Sequence, residues 1–569
     1  MPEQESRERR IARAAERCAT ALFDGQRPDG TWPNPRPPAA VGTAAAVLAL
    51  CLADRGRSAG LIGDGARWLI RHRNADGGWG LLTGSPSDPM ATSLAVAALH
   101  LAEPGRAAAE VADGLALLES WGGVRGLSDA KAWRQTGLVL SLAGLYDPAE
   151  VPRLPAEALL LPAGVRRRAL SYYASGFSAL SLLQLRRRPW SAVLRPVSAR
   201  VAAIARDIVE RSEEDEGGVG SHGSDPMLTG LICAALQVAG ECPRLVRAAV
   251  GYLRSVVQPD GSWQLIHGPE VRRDDVIGAA VAGESLARAG HAADARLLRT
   301  AEWVLSRRQD RPFPVFGCPP GGWTWTGGAG WPSVYDSVPV LKFLAATGAH
   351  DTAVRAGAAW LRRRQDSRGS WSTFVRDTRE ANDGPCPFTT AQAVDVLVLA
   401  GASAADRAVR RALRWLTRVQ RPDGSHPSTW NRGGVPATAA VLSTLTRLGL
   451  GGRPVAARAR GWLLAAQLPD GSWGAGPGAE PGTAEETARA TRALAECGGA
   501  VERAAAERGL DWLLAAQRPD GRWDAARVCV FTPDHGPYPD GLITQGLALG
   551  ALTASQRAFR DAALSTGRA

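Results

Sequence analysis

Several side chains in this chain are of types that do chemistry. Carboxylates stand together at Asp274-Asp275 and again at Glu213-Glu214-Asp215-Glu216. Such oxygen clusters can hold Mg²⁺ on a diphosphate, and a charged loop accounts for them equally. Asp383, Cys386 and His426 are residue types that zinc takes, at spacings that match no zinc site well. His535, in PDHGPYPD, reads as a loop residue rather than a base. Asp336 lies just after Gly-Trp-Pro, where an aspartate commonly caps a helix or turns the chain. There is no Gly-rich phosphate loop, no nucleophile elbow and no Cys/His dyad at an informative spacing.

The elements that must position these groups announce themselves through a repeat. A Gln, then Pro-Asp-Gly, then Trp recurs as QRPDGTW at Gln26–Trp32, QPDGSW at Gln258–Trp263, QLPDGSW at Gln467–Trp473 and QRPDGRW at Gln517–Trp523. Looser copies are NADGGW at Asn74–Trp79, QDSRGSW at Gln365–Trp371 and QRPDGSH at Gln420–His426. In the C-terminal half the copies lie about fifty residues apart, a period typical of repeat architectures. Before each phrase runs an amphipathic helix, such as RRALRWLTRVQ, with apolar residues at i, i+3, i+4 and i+7. After it comes a small-residue helix that is apolar nearly all round, such as TAQAVDVLVLAG, which suits a buried inner position. Pro fixes φ and Gly accepts positive φ, so Pro-Asp-Gly ends one helix and turns the chain. The Gln is expected to hydrogen-bond a neighbouring helix end and the Trp to pack beside it. Strand signals are weak. The expected fold is all-α, with helix pairs closing into toroids.

A chain of 569 residues exceeds one ordinary core, so two or more domains are expected. Its 45% hydrophobic and 22% charged content describes a folded globular protein. The net charge of +11 is carried almost wholly by arginine, since Lys131 and Lys342 are the only lysines. That charge would draw anionic lipid or nucleic acid, but no nucleic-acid motif is present and stacking aromatics are few. The eight cysteines form no CxxC pair and no dense framework, which fits a reducing cytosolic setting. The start MPEQESRERR lacks a signal-peptide core, and no run of eighteen apolar residues could span a membrane.

On these motifs the chain resembles the squalene–hopene cyclase and oxidosqualene cyclase family, whose hallmark is this Gln…Gly-x-Trp repeat. RCATALFDGQRPDGTW resembles the family's opening helix, residues 158–184 its SYWAR-type segment, and GGWTWTGGAGWPSVYDSVPVLKFL (321–344) the stretch that carries the catalytic acid. The resemblance implies two α/α barrels of the class II terpene cyclase type. Residues 1–32 with 290–569 would form the catalytic barrel, and 33–289 an inserted second barrel. Members of the family protonate a terminal alkene or epoxide with a carboxylic acid held in a dry cavity. Bacterial members carry that acid as Asp-x-Asp-Asp-Thr-Ala, oxidosqualene cyclases as Val-Ser-Asp-Cys-Thr-Ala. Counted without a gap from Gly322-Trp323, the matching window is Val334–Pro339, with Asp336 at the donor. Val334 and Ser337 replace the flanking aspartates. Gln392 stands where bacterial members have an activating His, and Phe388 where that His has an acidic neighbour. Ser337, Thr389 and Gln392 are therefore the expected hydrogen-bond partners of Asp336.

Cyclisation also needs aromatic walls whose π faces stabilise carbocations. By resemblance these are Trp325, Tyr173, Phe374, Trp430 and Tyr538, with Trp331 and Tyr335 in the acid segment itself. A Trp-Asp-Thr element of the family becomes Asp274-Asp275-Val276, and its aromatic-rich C-terminus becomes Pro539–Gln545 without an aromatic. The resemblance thus implies protonation-initiated cyclisation of a linear polyprenoid, squalene or a shorter one. It needs no cofactor, with Mg²⁺ only for a diphosphate substrate. A cytoplasmic protein attached peripherally to a membrane, through the basic segment 185–211, and a homodimer are further expectations. The alternatives are a cyclase-derived protein that binds an apolar ligand without catalysis, or another reaction on the same scaffold.

Overall fold

The computed structural model describes residues 7–126, 130–213, 220–265, 275–325, 331–530 and 537–566. The chain is 62% helix. Among the described residues the named strands are Arg527–Val530 and Pro537–Pro539, which pair antiparallel.

Helices alternate between two sequence types because they alternate between two layers. The helix Ala40–Ala53 has every residue from Ala40 to Cys51 buried, as its unbroken apolar sequence requires. The helix Arg407–Val419 buries only Ala408, Val409, Ala412, Trp415 and Leu416, one stripe at helical spacing, and shows its arginines to solvent. Six inner-layer helices form a closed ring: Val276–Leu286, Val334–Thr347, Pro387–Leu399, Val435–Arg447, Ala484–Cys497 and Gly541–Thr566. Each packs on the next, and the last returns to the first. Amphipathic helices from Ala295–Ser306 to Ala500–Ala516 lie outside them, joined by the N-terminal helix Arg7–Asp24. The Val276 helix sits in this ring although it precedes residue 290, because its apolar faces meet the Val334 and Gly541 helices. A second set of inner helices, Ala40–Ala53, Pro89–Ala102, Ala130–Leu142, Ala174–Arg187 and Pro226–Ala239, packs together between the N-terminal helix and this ring in sequence. Its core runs from Ala39 to Leu265 and is joined at its edge by Ile277, Cys529, Tyr538 and Ile543.

The repeated phrase is the joint between layers. In Gln467–Trp473, the Asp470 carboxylate accepts from the Ser472 amide (3.0 Å) and hydroxyl (2.6 Å), closing the turn. Gly471 has φ +91°, and a Cβ there would lie 2.8 Å from the Arg508 carbonyl oxygen of the next outer helix. Gln467 Nε2 donates to Gly471 O and to Ala505 O of that helix, both at 2.9 Å. Trp473 Nε1 donates to Leu463 O (2.8 Å), satisfying a carbonyl in the last turn of its own outer helix. The same bonds recur: Gln365 reaches Ala408 O and Gln420 reaches Val455 O. Gln517 reaches Ala14 O, which ties the last repeat to the first helix and closes the outer layer.

One surface breaks the polar exterior of the inserted barrel. Val193 is 87% exposed, and Leu194, Val197, Leu160, Leu161 and Val165 are also exposed. They lie on the turn Ala192–Leu194, the helix Arg195–Arg211 and the packed-on elements Ala156–Leu160 and Ala163–Leu170. Among the described residues, no helix is long and apolar enough to cross a membrane.

Candidate active site

Asp336 is the fourth residue of a Ser-x-x-Asp helix start in which the Ser333 amide is taken by Trp323 O. Ser333, at the N-cap of the Val334 helix, accepts from the Asp336 amide (2.9 Å) and donates its hydroxyl to Asp336 Oδ2 (2.6 Å). Ser333 rather than Asp336 is therefore the cap, and Asp336 is the residue whose amide it caps. The other oxygen, Oδ1, is buried and has no hydrogen-bond partner. Burial pushes the carboxyl up to about 7, against the Ser333 hydrogen bond, and the nearby Asp275 charge pushes the same way.

The expected partners of Asp336 are elsewhere. Ser337 donates to Ser333 O (2.6 Å) and accepts from the Trp323 amide (2.9 Å), so it does not bond the carboxyl. That second bond belongs to the repeat. The amides of Trp79, Trp263, Trp371, His426 and Trp473 donate likewise to Thr92, Thr43, Thr390, Thr438 and Thr487. In four of these the Thr precedes an Ala: Thr43-Ala44, Thr390-Ala391, Thr438-Ala439 and Thr487-Ala488. Aligned on this hydroxyl rather than by gapless counting, Ser337 takes the Thr of Asp-x-Asp-Asp-Thr-Ala. Asp336 then takes the last aspartate, and Tyr335 the central one. Thr389 has a buried hydroxyl with no partner and makes no bond to Asp336. Gln392 lies a turn deeper and accepts from Lys342 Nζ (2.9 Å), because the ring lumen there is charged. Lys342 faces Glu284 at 3.3 Å, Glu284 also pairs with Arg288, and Arg447 bridges Asp395 and Glu496.

The aromatic expectation largely converges. Phe374 is the hub, with ring centroids of Tyr172, Trp325, Trp331 and Trp430 at 5.5, 5.9, 6.2 and 6.2 Å. Tyr335 touches Phe388 (6.0 Å) and Trp430 (6.3 Å), joining the acid segment to the cluster. Tyr173 stacks on Tyr172 at 4.2 Å and accepts from Asn382. The cluster lies where the two barrels meet: Trp325 Nε1 donates to Gly223 O and Trp331 Nε1 to Ser212 O. Tyr538 is apart from it. Its ring lies under the Arg36 guanidinium at 5.3 Å.

Other groups with apparent chemistry are structural. Arg36 pairs with Asp275 and Asp540, which cap the Val276 and Gly541 helices, and Asn34 donates to both carboxylates. Asp383 accepts from the Phe374 and Val375 amides and the Ser171 hydroxyl. His426 replaces the repeat's Trp, its ring reaching Leu416 O at 3.2 Å. No group of three or more His, Cys, Asp or Glu able to hold a metal occurs among the described residues. Asp274, Glu214, Asp215, Glu216 and His535 lie outside the described residues, and Glu213 pairs with Arg244.

Sequence reasoning missed three members of this region. Phe316 contacts Trp331 (5.3 Å) and Phe374 (5.6 Å), and Tyr172 contacts Phe374. Glu485 is buried at the N-terminus of the Ala484 helix and pushed up to about 7 by burial. The Thr-x-x-Glu box at Thr483–Glu486 was the available signal for that carboxyl pair.

Two all-helical barrels with clustered aromatics where they meet have the architecture of the class II terpene cyclases. Residues 15–188 match the model of the squalene-hopene cyclase N-terminal domain, and residues 274–532 that of the C-terminal domain. The chain belongs to the squalene–hopene cyclase family. A drimenyl diphosphate synthase from Streptantibioticus cattleyicolor is 31% identical over 266 residues, 45% of this chain and 48% of the relative. The match thus spans about half the length of that relative. A squalene–hopene cyclase from Alicyclobacillus acidocaldarius is 27% identical over 517 residues, 77% of this chain and 79% of that one. The solved structure of ent-copalyl diphosphate synthase from Streptomyces platensis shares the fold. Its TM-score is 0.58 at 22% identity, over 96% of this chain and 99% of that chain.

Proposed function

We propose that this protein cyclises a linear polyprenoid by protonation, with Asp336 as the acid. The observation that carries this reading is the buried Asp336 carboxyl, pushed up to about 7 with Oδ1 unbonded. At neutral pH a substantial fraction is the neutral acid a donor must be, and its position is one residue from the ring that enters the aromatic cluster. Tyr335 cannot replace it, because burial raises its phenol far above the carboxyl range. Asp336 would give its proton to the terminal carbon of the alkene. Ring closures follow as each neighbouring double bond supplies its electron pair to the cation. Trp325, Trp331, Phe374, Trp430 and Tyr173 would face the successive cations, and loss of a proton or capture of water ends the cascade. The relatives named as diphosphate synthases make a shorter isoprenoid diphosphate a candidate substrate beside squalene. Asp275, one of the carboxylates that could hold Mg²⁺ on such a head group, is already engaged by Arg36 and Asn34.

The division of labour in this reading is a catalytic unit built from the N-terminal helix and the six-helix ring, with the inserted barrel covering its aromatic face. Attachment to an anionic membrane surface is part of the proposal, through the exposed apolar residues around Val193. The central test is Asp336→Asn with squalene, farnesyl diphosphate or geranylgeranyl diphosphate. Cyclised product should fall at least about 100-fold, the usual scale of a lost general acid. Undiminished product from the variant would remove Asp336 from the mechanism. The Ser333 cap favours a second reading, in which Asp336 only holds its helix and the protein binds an apolar ligand unchanged. Tight ligand binding by wild-type protein without turnover would support that reading.

A further inference from the structure

The Ala484 helix, which carries Glu485, stands across the ring from the Val334 helix, which carries Asp336. The six inner helices close in chain order, so two helices separate the Val334 helix from the Ala484 helix on either side. With neighbouring axes about 8–10 Å apart and helices about 10–12 Å thick, inward side chains on opposite helices are separated by roughly 5–10 Å. Glu485 is the second residue past the N-cap Thr483. The same helix position is Ile277, Tyr335, Phe388 and Pro436 on four other helices, and all four line the lumen. The aligned register also puts Tyr335 where the family's central acid stands. On the opposite helix the lining residues are Ala488, Arg489 and Arg492, and the Glu485 carboxyl lies one turn before them on the same helix face.

The two carboxyls are built alike. The single hydroxyl proton of Thr544 is shared between Glu485 Oε1 (2.6 Å) and Asp540 O (2.7 Å), while Glu485 Oε2 is buried without a partner. A buried carboxyl oxygen left unbonded is costly and calls for an explanation beyond packing. Its neighbour Glu486 differs: Arg432 (2.7 Å) and Thr483 (3.0 Å) hold it, which is a structural assignment. Burial pushes Glu485 up to about 7, so it can take up or release a proton near neutral pH.

We infer that Glu485 is the proton acceptor that ends the reaction Asp336 begins. The inference rests on the cyclisation proposed above. Asp336 delivers one proton to the terminal carbon, and the double bonds become ring bonds. The Glu485 carboxylate then takes a proton from the carbon beside the last cation, and that C–H pair becomes the new double bond. One proton enters and one leaves, so the polyprenoid is isomerised, and both carboxyls reset by exchange with water.

The test is product analysis by gas chromatography and mass spectrometry of the full chain with squalene, farnesyl diphosphate and geranylgeranyl diphosphate. Wild type should give a cyclic alkene. Glu485→Gln should still consume substrate, more slowly, with the alkene fraction down at least tenfold and a cyclic alcohol from water capture in its place. Glu485→Asp should recover part of the alkene. An unchanged product ratio in a folded Glu485→Gln variant overturns the inference. Complete loss of substrate consumption in that variant does so too, since an acceptor acts after the rings form. If Glu485→Gln does not fold, Thr544→Val is decisive: it must shift the alkene-to-alcohol ratio, and an unshifted ratio overturns the inference. Failure of wild type to cyclise any of the three substrates removes the cyclisation reading and this one together. Activity lost in Asp336→Asn but unchanged in Glu485→Gln removes this one alone.

Discussion

At Asp336 the two oxygens of one carboxyl stand in different surroundings. Oδ2 accepts from the Ser333 hydroxyl, and Oδ1 is left bare. The Ser333 hydrogen bond favours the charged form, while burial favours the neutral one and wins. The sign of the pH dependence follows. A proton donor works in its neutral form, so kcat/KM should be high below about 7 and fall as pH rises through it. Ser333→Ala removes the hydrogen bond that opposes burial. The carboxyl should then rise further, moving the falling limb upward by about 1–2 pH units, the equivalent of a charged hydrogen bond of about 1.5–3 kcal/mol. The lost cap should cost about 0.5–2 kcal/mol of stability, visible in the melting temperature. A limb that stays in place while stability drops would show that another group donates. The helix start that carries Asp336 was legible in the sequence, and so were most of the aromatics that cluster round Phe374. The supporting residues were not. Ser337, Thr389 and Gln392 follow from position in a motif, but which face each turns to its neighbour is set by the ring's packing. Ser337 is claimed by the Trp323 amide and Gln392 by Lys342.

Elements in this protein are joined by one device used many times, and the device was the most legible part of the sequence. Gln, Gly and Trp each play a separate physical role. Gln bonds the next outer helix, Gly brings a positive φ against that helix's backbone, and Trp bonds a carbonyl near the helix end. His426 shows how tolerant the Trp position is, since an imidazole reaches the same carbonyl. Less legible was the place of the Val276 helix, whose membership in the ring depends on contacts with helices at both ends of the C-terminal half. The repeat gains most where it joins parts distant in sequence. Gln517 Nε2 donates to Gly521 O and to Ala14 O, both at 2.9 Å, holding the N-terminal helix to the last repeat. Gln517→Ala leaves partly buried carbonyls unbonded and should cost about 1–3 kcal/mol. The effect should be local. Hydrogen exchange across Arg7–Asp24 should rise, whereas Gln420→Ala, between consecutive outer helices, should leave that helix protected. Equal protection of Arg7–Asp24 in wild type and Gln517→Ala would show that its buried face alone, Ile11, Ala14, Cys18 and Leu22 among it, holds the helix.

For the whole molecule, the membrane attachment proposed above combines the net positive charge with one exposed apolar surface. A net charge of +11 is spread over the chain, yet the exposed large apolar residues concentrate on one side of the inserted barrel. Val193 and Leu194 project from a short turn beside exposed Arg195 and Arg200, with Arg186 and Arg168 on neighbouring elements. Apolar side chains rimmed by cations suit an anionic lipid surface: the former enter the acyl boundary and the latter meet the head groups. In sequence the segment 185–211 is a basic stretch with a Trp. Its Trp190 packs inward under Arg153, at 5.0 Å, because it lies against the folded barrel rather than the outer surface. Burying a Val or Leu side chain is worth about 1.5–3 kcal/mol, and each cation near an anionic surface about 1 kcal/mol. The double substitution Val193→Asp, Leu194→Asp should therefore reduce co-sedimentation with phosphatidylserine-containing vesicles by about 100-fold or more. Binding by the wild type should weaken as salt is raised and persist in part, since the apolar share is not screened. Neither residue lies near the ring lumen, so turnover of a detergent-dispersed substrate should be retained by the double variant. Vesicle binding equal to wild type in the double variant would show that this face does not meet the membrane.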